Sequence, residues 1–326
     1  MKKSLIALAV AGAMTAPMIA QADATLYGSF RVGFEKVSDN ADASKEQDLN
    51  MVDQSSRIGI KGDVDLGLEG TKGLFHWEAN INSADSDSDI LKERLSYIGA
   101  QGDWGKVQIG RQYHPHYLLI SAPTNVFNPG SGDYGERFNL GNDQHKRVDN
   151  TLAYYTPKMN GFQAIAGFVF QADGTDSDDS LDDTVDGYNI AGTYSANNLT
   201  VSASIGNVEA SSTTEIDTWG LAAKYKLDAL ELMAKYEDQE TEVGAVTTEE
   251  DVWELAARYT MGATSVYARY ADYDVEVTNL GSGDLQQWGL GVQQKLGKGR
   301  VFLEHVNNDS DDDAGDRTVA GYRVDF

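Results

Sequence analysis

From residue 25 to the C-terminus, apolar and polar side chains alternate with a period of two. Trp219, Leu221, Ala223 and Tyr225 alternate with Gly220, Ala222, Lys224 and Lys226. Leu230, Leu232, Ala234 and Tyr236 alternate with Glu231, Met233, Lys235 and Glu237, and Trp253, Leu255, Ala257 and Tyr259 with Glu254, Ala256 and Arg258. The same rhythm places Leu26, Phe30, Val32 and Phe34 on one face near the start. A period of two predicts strands with one apolar and one polar side. Residues 161–171 are the blurred run, with Phe162, Phe168 and Phe170 on one side but Ile165 and Val169 opposing them.

The connections alternate as well. Short joins fall at 101–105, 157–161, 196–198, 227–229, 260–263 and 296–299. Longer polar ones fall at 38–48, 84–89, 172–186, 209–215, 240–249, 276–284 and 307–315. Short turns at one end and long loops at the other are the pattern of a transmembrane barrel, and the runs between joins number sixteen. The fold expected is therefore all-β, a 16-stranded antiparallel transmembrane β-barrel. Tyr and Trp gather towards strand ends, as in interfacial girdles, whereas a soluble sandwich would put large aliphatics there. An even strand count puts both chain ends on the short-turn side.

One long stretch departs from the alternation. Gln112 to Lys146 holds three of the five prolines, three of the five histidines and the glycine-rich run 127–135. A loop this long inside a compact domain is usually functional; here it is expected to fold into the bore and narrow it.

Composition sharpens the class. The 326 residues carry 33 glycines, 16 tyrosines, no cysteine and a formal net charge of -25, and the mean hydropathy is -0.42. Past the N-terminus there is no apolar run of the roughly 20 residues a membrane helix needs, a requirement strands escape. The acidity argues against nucleic acid as a partner, and the missing cysteines exclude disulfides and thiolate sites. Residues 1–22 have the form of an export signal: Lys2 and Lys3, an apolar core from Leu5 to Ala13, and Ala20-Gln21-Ala22 as a small-x-small cleavage site, with cleavage after Ala24 the alternative. The mature domain is then 23–326.

Several segments together carry a family resemblance. They are 24–29 (ATLYGS), 56–62 (SRIGIKG), 94–99 (RLSYIG), 102–113 (GDWGKVQIGRQY), 147–157 (RVDNTLAYYTP) and the terminal Tyr322-x-Val324-x-Phe326. In this order and spacing the chain resembles the Gram-negative general diffusion porins from end to end. The resemblance implies an outer-membrane homotrimer of 16-stranded barrels whose third outer loop folds inwards. It also implies that Tyr322, Val324 and Phe326 form the signal read by the barrel-assembly machinery. Where the family places an acidic residue early in that loop, His114-Pro115-His116-Tyr117-Leu118-Leu119 supplies none.

The resemblance locates the basic side of a pore constriction at Arg57, Arg94 and Arg147, with Arg31 two residues from the nearest family position. Arg31, Arg57 and Arg94 also lie on the polar parity of their strands, whereas Arg111 shares the parity of Val107 and Ile109. Opposing acids must come from the inward loop, where Asp133 and Glu136 are the candidates. Opposed rows of charge across a narrow opening set up a transverse field that sorts solutes by charge and dipole. The aspartate-rich segments 173–186 and 309–316 read as solvated loops, with a bridge through divalent cations to surface lipopolysaccharide as the other reading. The spacing at Asp85–Asp89 lacks the glycine and the twelfth-position glutamate of a calcium loop. His114 and His116 offer two imidazoles without a third ligand. The function expected is passive diffusion of ions and small hydrophilic solutes, without cofactor, metal or catalysis. A solute-specific channel is the alternative, and an outer-membrane barrel hydrolase a more distant one, since no nucleophile–base constellation stands out.

Overall fold

The computed structural model describes residues 22–38, 47–84, 91–128, 146–170, 185–211, 213–310 and 315–326. Residues 1–21, nearly all of the expected signal, lie outside that set, as do Asp133, Glu136, Asp85–Asp89 and most of the 173–186 segment.

The strands run in chain order. They begin with β1 (Ala22–Ser38), β2 (Gln47–Asp53), β3 (Arg57–Leu68), β4 (Thr71–Ile81), β5 (Leu91–Gly102) and β6 (Gly105–Tyr113). Next come β7 (Arg147–Tyr155), β8 (Phe162–Val169), β9 (Gly187–Ala196), β10 (Leu199–Ser211), β11 (Thr214–Leu227) and β12 (Leu230–Val243). The last are β13 (Val246–Met261), β14 (Thr264–Val277), β15 (Gly281–Leu296), β16 (Gly299–Ser310) and β17 (Asp316–Asp325). Each pairs antiparallel with its sequence neighbours, except that β2 and β3 both pair with β1 and not with each other. β2 and β3 pair with successive halves of β1 and so form one interrupted barrel strand, giving the expected sixteen. β17 pairs with β1 from Ser29↔Asp325 to Ser38↔Asp316, which closes the cylinder and leaves no free edge. Phe326 and Gly28 exchange both backbone hydrogen bonds at 3.1 Å, and the Phe326 ring stacks on Phe30.

The outward face is apolar. Ile98 is 65% exposed, and Leu221, Leu255, Leu290 and Leu303 are all more than half exposed. So continuous an apolar band has a place only against lipid. Above it, Trp219 packs on Tyr236 and Trp253 on Tyr270 across adjacent strands, as an interfacial girdle does. Closing every backbone bond between strands is what makes such a wall stable in hydrocarbon.

Three of the expected long connections are different. In 209–215 the flanks pair, Glu209 opposite Glu215 and Ser211 opposite Thr214. The segment 240–249 is a hairpin with a two-residue turn at Gly244–Ala245, and 276–284 turns over Thr278–Leu280. β12 to β15 therefore continue past the girdle, and their register sets carboxylates side by side. Asp238, Asp251, Asp274 and Asp284 form one row, and Asp217, Glu240, Glu249 and Glu276 the next. Polarity alone made these segments look like loops; cross-strand hydrogen bonding keeps them as strands.

The inward course of the loop after β6 is plain in its first half. Tyr117–Ser121 forms one π-helical turn and Ala122–Thr124 a 3-10 turn. Both lie against the inner wall of β9 to β13. Leu118 and Leu119 pack on Ala153, Tyr155 and Ile165. That contact accounts for Ile165 in the blurred run 161–171: it faces inward and packs beneath the loop.

Candidate functional site

Three β-bulges shape the inner wall on the β1–β7 side. Asp53 pairs with Val32 and Arg57 with Ser29, so Gln54-Ser55-Ser56 stands opposite two residues and carries one extra. Ser55 takes the left-handed conformation that such an insertion favours, with φ 63°. Ser56 fixes it, its hydroxyl accepting the Arg31 backbone N–H at 2.8 Å. Leu49 and Met51 face lipid above the insertion. A strand of unbroken period two would send Arg57 out with them; the extra residue turns it inward.

A second bulge makes Arg94 the additional residue between Glu93 and Leu95, facing the Glu78/Ala79 step. Further down that strand the even positions face out, as Ile98 shows. Arg94 therefore reaches the lumen through the bulge and not through simple parity. A third irregularity, at Asp149-Asn150 with Asn150 at φ 50°, follows Arg147 on β7.

These devices gather a cluster around one carboxylate. Glu78 Oε1 accepts from Arg94 Nε at 2.6 Å and lies 3.8 Å from Arg57. Its other oxygen accepts from the Tyr27 hydroxyl at 2.8 Å. Arg94 also donates to Asn80 at 2.9 Å and to the Tyr113 hydroxyl at 3.4 Å. Arg147 lies over the Tyr113 ring, 5.4 Å from its centroid, and Tyr113 stacks on Tyr117 of the inward loop. Arg31 donates to Ser29 at 2.8 Å, and its charge is repelled by those of Arg57, Arg94 and Arg323. Arg323, directly opposite Arg31 in the β1–β17 register, is steadied by Asp325 at 2.6 Å.

The expected Arg31, Arg57, Arg94 and Arg147 thus share one arc of wall. Arg111 stands apart, pairing at 2.8 Å with the exposed Asp149. Glu78, Arg323 and Tyr113 belong to the same arc without having been singled out in the sequence. The usable signal for Arg323 was its polar parity on the final strand, since closure sets that strand beside the first. Glu78 carried the equivalent signal on β4. Tyr322 and Phe326 point outward, 49% and 45% exposed.

Across the lumen the loop is pinned to β12–β16. The His116 ring meets Glu237 at 3.1 Å, the Ser121 hydroxyl donates to the same carboxylate, and Lys235 holds its other oxygen at 2.7 Å. Arg258 donates to the Val126 carbonyl at 2.8 Å. Asn128 donates to Glu304 from its backbone at 2.9 Å and from its side chain at 2.8 Å, while Tyr267 donates to the same oxygen at 2.5 Å. Two glycines receive the loop's apolar anchors. A Cβ on Gly289 would sit 2.5 Å from the Phe127 ring, and one on Gly220 2.8 Å from Ile120. His116 is engaged with a carboxylate of the wall, and among the described residues no cluster of three ligand-type side chains is placed to hold a metal. Chemically, the arrangement offers a fixed positive arc, tempered by Glu78 and Asp325, facing a braced partition: a filter for charge and size.

Comparison with known proteins agrees with this geometry. The profile of the Gram-negative porin family matches residues 7–314. Outer membrane porin protein 32 of Delftia acidovorans is 31% identical over 250 residues, covering 71% of this chain and 68% of that one. The major outer membrane protein P.IB of Neisseria meningitidis serogroup B is 42% identical over 116 residues, 34% of each chain. Among solved structures, an anion-selective porin from Comamonas acidovorans superposes with a TM-score of 0.78 at 21% identity, covering 94% of this chain and all of that one. The trimer form of OmpT from Vibrio cholerae gives 0.73 at 17% identity, covering 94% and 99%.

Proposed function

This chain belongs to the Gram-negative porin family, and from that premise we propose that Arg31, Arg57, Arg94, Arg147 and Arg323, with Glu78 set among them, form the basic wall of its constriction. It is an outer-membrane protein whose closed barrel encloses a water-filled path for passive diffusion of ions and small hydrophilic solutes. Its family is one of channels rather than enzymes. The observation that carries the constriction reading is the facing of an arginine arc on β1–β7 by a loop bolted to β12–β16. Asp133 and Glu136, on the continuation of that loop, are the carboxylates we assign to the opposite side.

Opposed charges fixed on a rigid wall act on a passing solute without reorganising, so selectivity follows from the sum of their fields. Five guanidiniums against two wall carboxylates favour anions at the narrowest point. We assign the chain to a homotrimer, in keeping with the trimer form of one structural relative. Residues 1–22 are assigned to an export signal, the terminal Tyr322-x-Val324-x-Phe326 to recognition by the assembly machinery, and the lipid-facing wall to contact with outer-membrane lipid and lipopolysaccharide. Reversal potentials of purified protein in planar bilayers test the constriction. Arg57→Ala combined with Arg94→Ala is expected to move the pore towards cations. An unchanged reversal potential under a KCl gradient would reject the placement.

A further inference from the structure

Below the inward loop, on the short-turn side, the lumen opens into a cavity of about 1590 Å³ whose wall is not uniformly polar. The inner face of a channel barrel is expected to be wetted and polar. Here Leu118 and Leu119 from the loop, with Tyr155 and Ile165 from β7 and β8, line one side with apolar surface. Lys106, the neighbour of Tyr155 in the β6–β7 register, borders the same surface, its ammonium 3.7 Å from the Tyr155 ring centroid. Among the described residues Lys106 makes no ion pair, whereas Lys72 across the cavity is held by Asp63 at 2.7 Å. Lys158 lines the cavity as well, but it is Lys106 that lies against the apolar floor, through the Tyr155 ring. Such a floor with a cation at its edge has the form of a small-molecule site, in which a few polar groups orient a largely apolar ligand.

We propose that this wall is a solute subsite for small monocarboxylates with an apolar body. The carboxylate would sit on the Lys106 ammonium and the body would lie across Leu118, Leu119 and Ile165. Lys106 lies towards the short-turn end of the same β1–β7 half of the wall that carries the arginine arc. An anion drawn through the constriction is thereby handed to a second cation, and an apolar body prolongs its stay by leaving water. Asp63, Asp65 and Glu69 line the opposite side and disfavour an anion there, which confines the site to the Lys106 wall. The inference rests on the channel reading and narrows its solute class.

The test titrates benzoate, acetate and benzylamine into the folded full-length protein in detergent micelles, followed by NMR saturation transfer, with empty micelles subtracted. Benzoate should bind about tenfold more tightly than acetate, through the buried ring, and more tightly than benzylamine. Lys106→Gln should weaken benzoate by about tenfold, as loss of a charge-assisted contact does, and Leu119→Asn should weaken benzoate but not acetate. Equal binding of benzoate and acetate, or benzoate binding indifferent to Lys106→Gln, overturns the subsite. KCl conductance of the same preparation reports separately on the channel. A conducting pore with Lys106-independent benzoate binding loses only the subsite, and a folded protein that does not conduct loses the channel reading while the titration still decides the subsite.

Discussion

Replacing Glu78 by glutamine removes one negative charge from the middle of the arginine arc while keeping the side chain's size and its ability to accept from Arg94 Nε, now 2.6 Å away. A monovalent ion passing about 6 Å from that carboxylate feels roughly 0.7 kcal/mol in a water-like medium, and salt at 0.1 M, with a screening length of about 10 Å, leaves roughly 0.4 kcal/mol. The interaction attracts cations and repels anions, so its loss changes the preference by about twice that, close to fourfold in the permeability ratio. Under a tenfold KCl gradient, a fourfold change from parity moves the reversal potential by about 25–30 mV in the anion direction. Planar-bilayer recordings with folded protein, checked by heat-modifiable gel migration, read this directly. A lower-dielectric mouth or weaker screening enlarges the shift without changing its sign. A reversal potential unmoved by Glu78→Gln, or moved towards cations, would refute the placement of Glu78 in the ion path.

Three further outcomes are expected. Gly289→Leu places a side chain where the Phe127 ring now lies. Overpacking of this kind costs about 1–3 kcal/mol, so the loop's anchor is weakened and unitary conductance should change with added current noise; a wild-type trace would count against the docking. Deleting Ser55 removes the extra residue of the bulge, so either Arg57 turns to lipid or Leu49 and Met51 turn to the lumen. An arginine on the lipid face costs about 2–4 kcal/mol near the midplane, and folded yield should fall, whereas Ser55→Gly, which suits φ 63°, should leave yield intact. Asp251→Asn relieves repulsion from Asp238 and Asp274 on either side, worth about 0.2–1 kcal/mol per opposed pair. The melting temperature should rise at low ionic strength and the gain should shrink near 1 M salt; a gain independent of salt, or none, would show that the row is already neutralised.

Most of the wall was legible because period two is a property of each strand alone. Trp253, Leu255, Ala257 and Tyr259 announce a lipid-facing strand whatever their neighbours do. The third long loop was legible for the converse reason, as the one extended stretch without the rhythm. What local pattern could not convey was the tertiary context of polar residues. The acidic segments at 240–249 and 276–284 looked like loops by composition, yet their backbones pair with adjacent strands well past the girdle. The ambiguity at Ile165 had the opposite cause, since it packs with Leu118 and Leu119, which lie far away in sequence.

The arginine cluster shows where parity counting stops being a sufficient argument. Arg57 and Arg94 face the lumen only because an extra residue at Ser55, or Arg94 itself, breaks the count. A bulge costs ladder hydrogen bonds and adds local twist, so three of them beside Arg57, Arg94 and Arg147 are difficult to account for as wall-building alone. They do account for a demand that regular strands cannot meet. Strict alternation spaces inward side chains two residues apart and perpendicular to the sheet, too coarse to bring guanidiniums from β3 and β5 onto one carboxylate of β4. Local irregularity supplies the fine aim, and the loop braced by Glu237 and Glu304 supplies the opposite edge. On the constriction reading proposed above, selectivity is set where the strand pattern fails, at the insertion around Ser55 and at the extra residue Arg94.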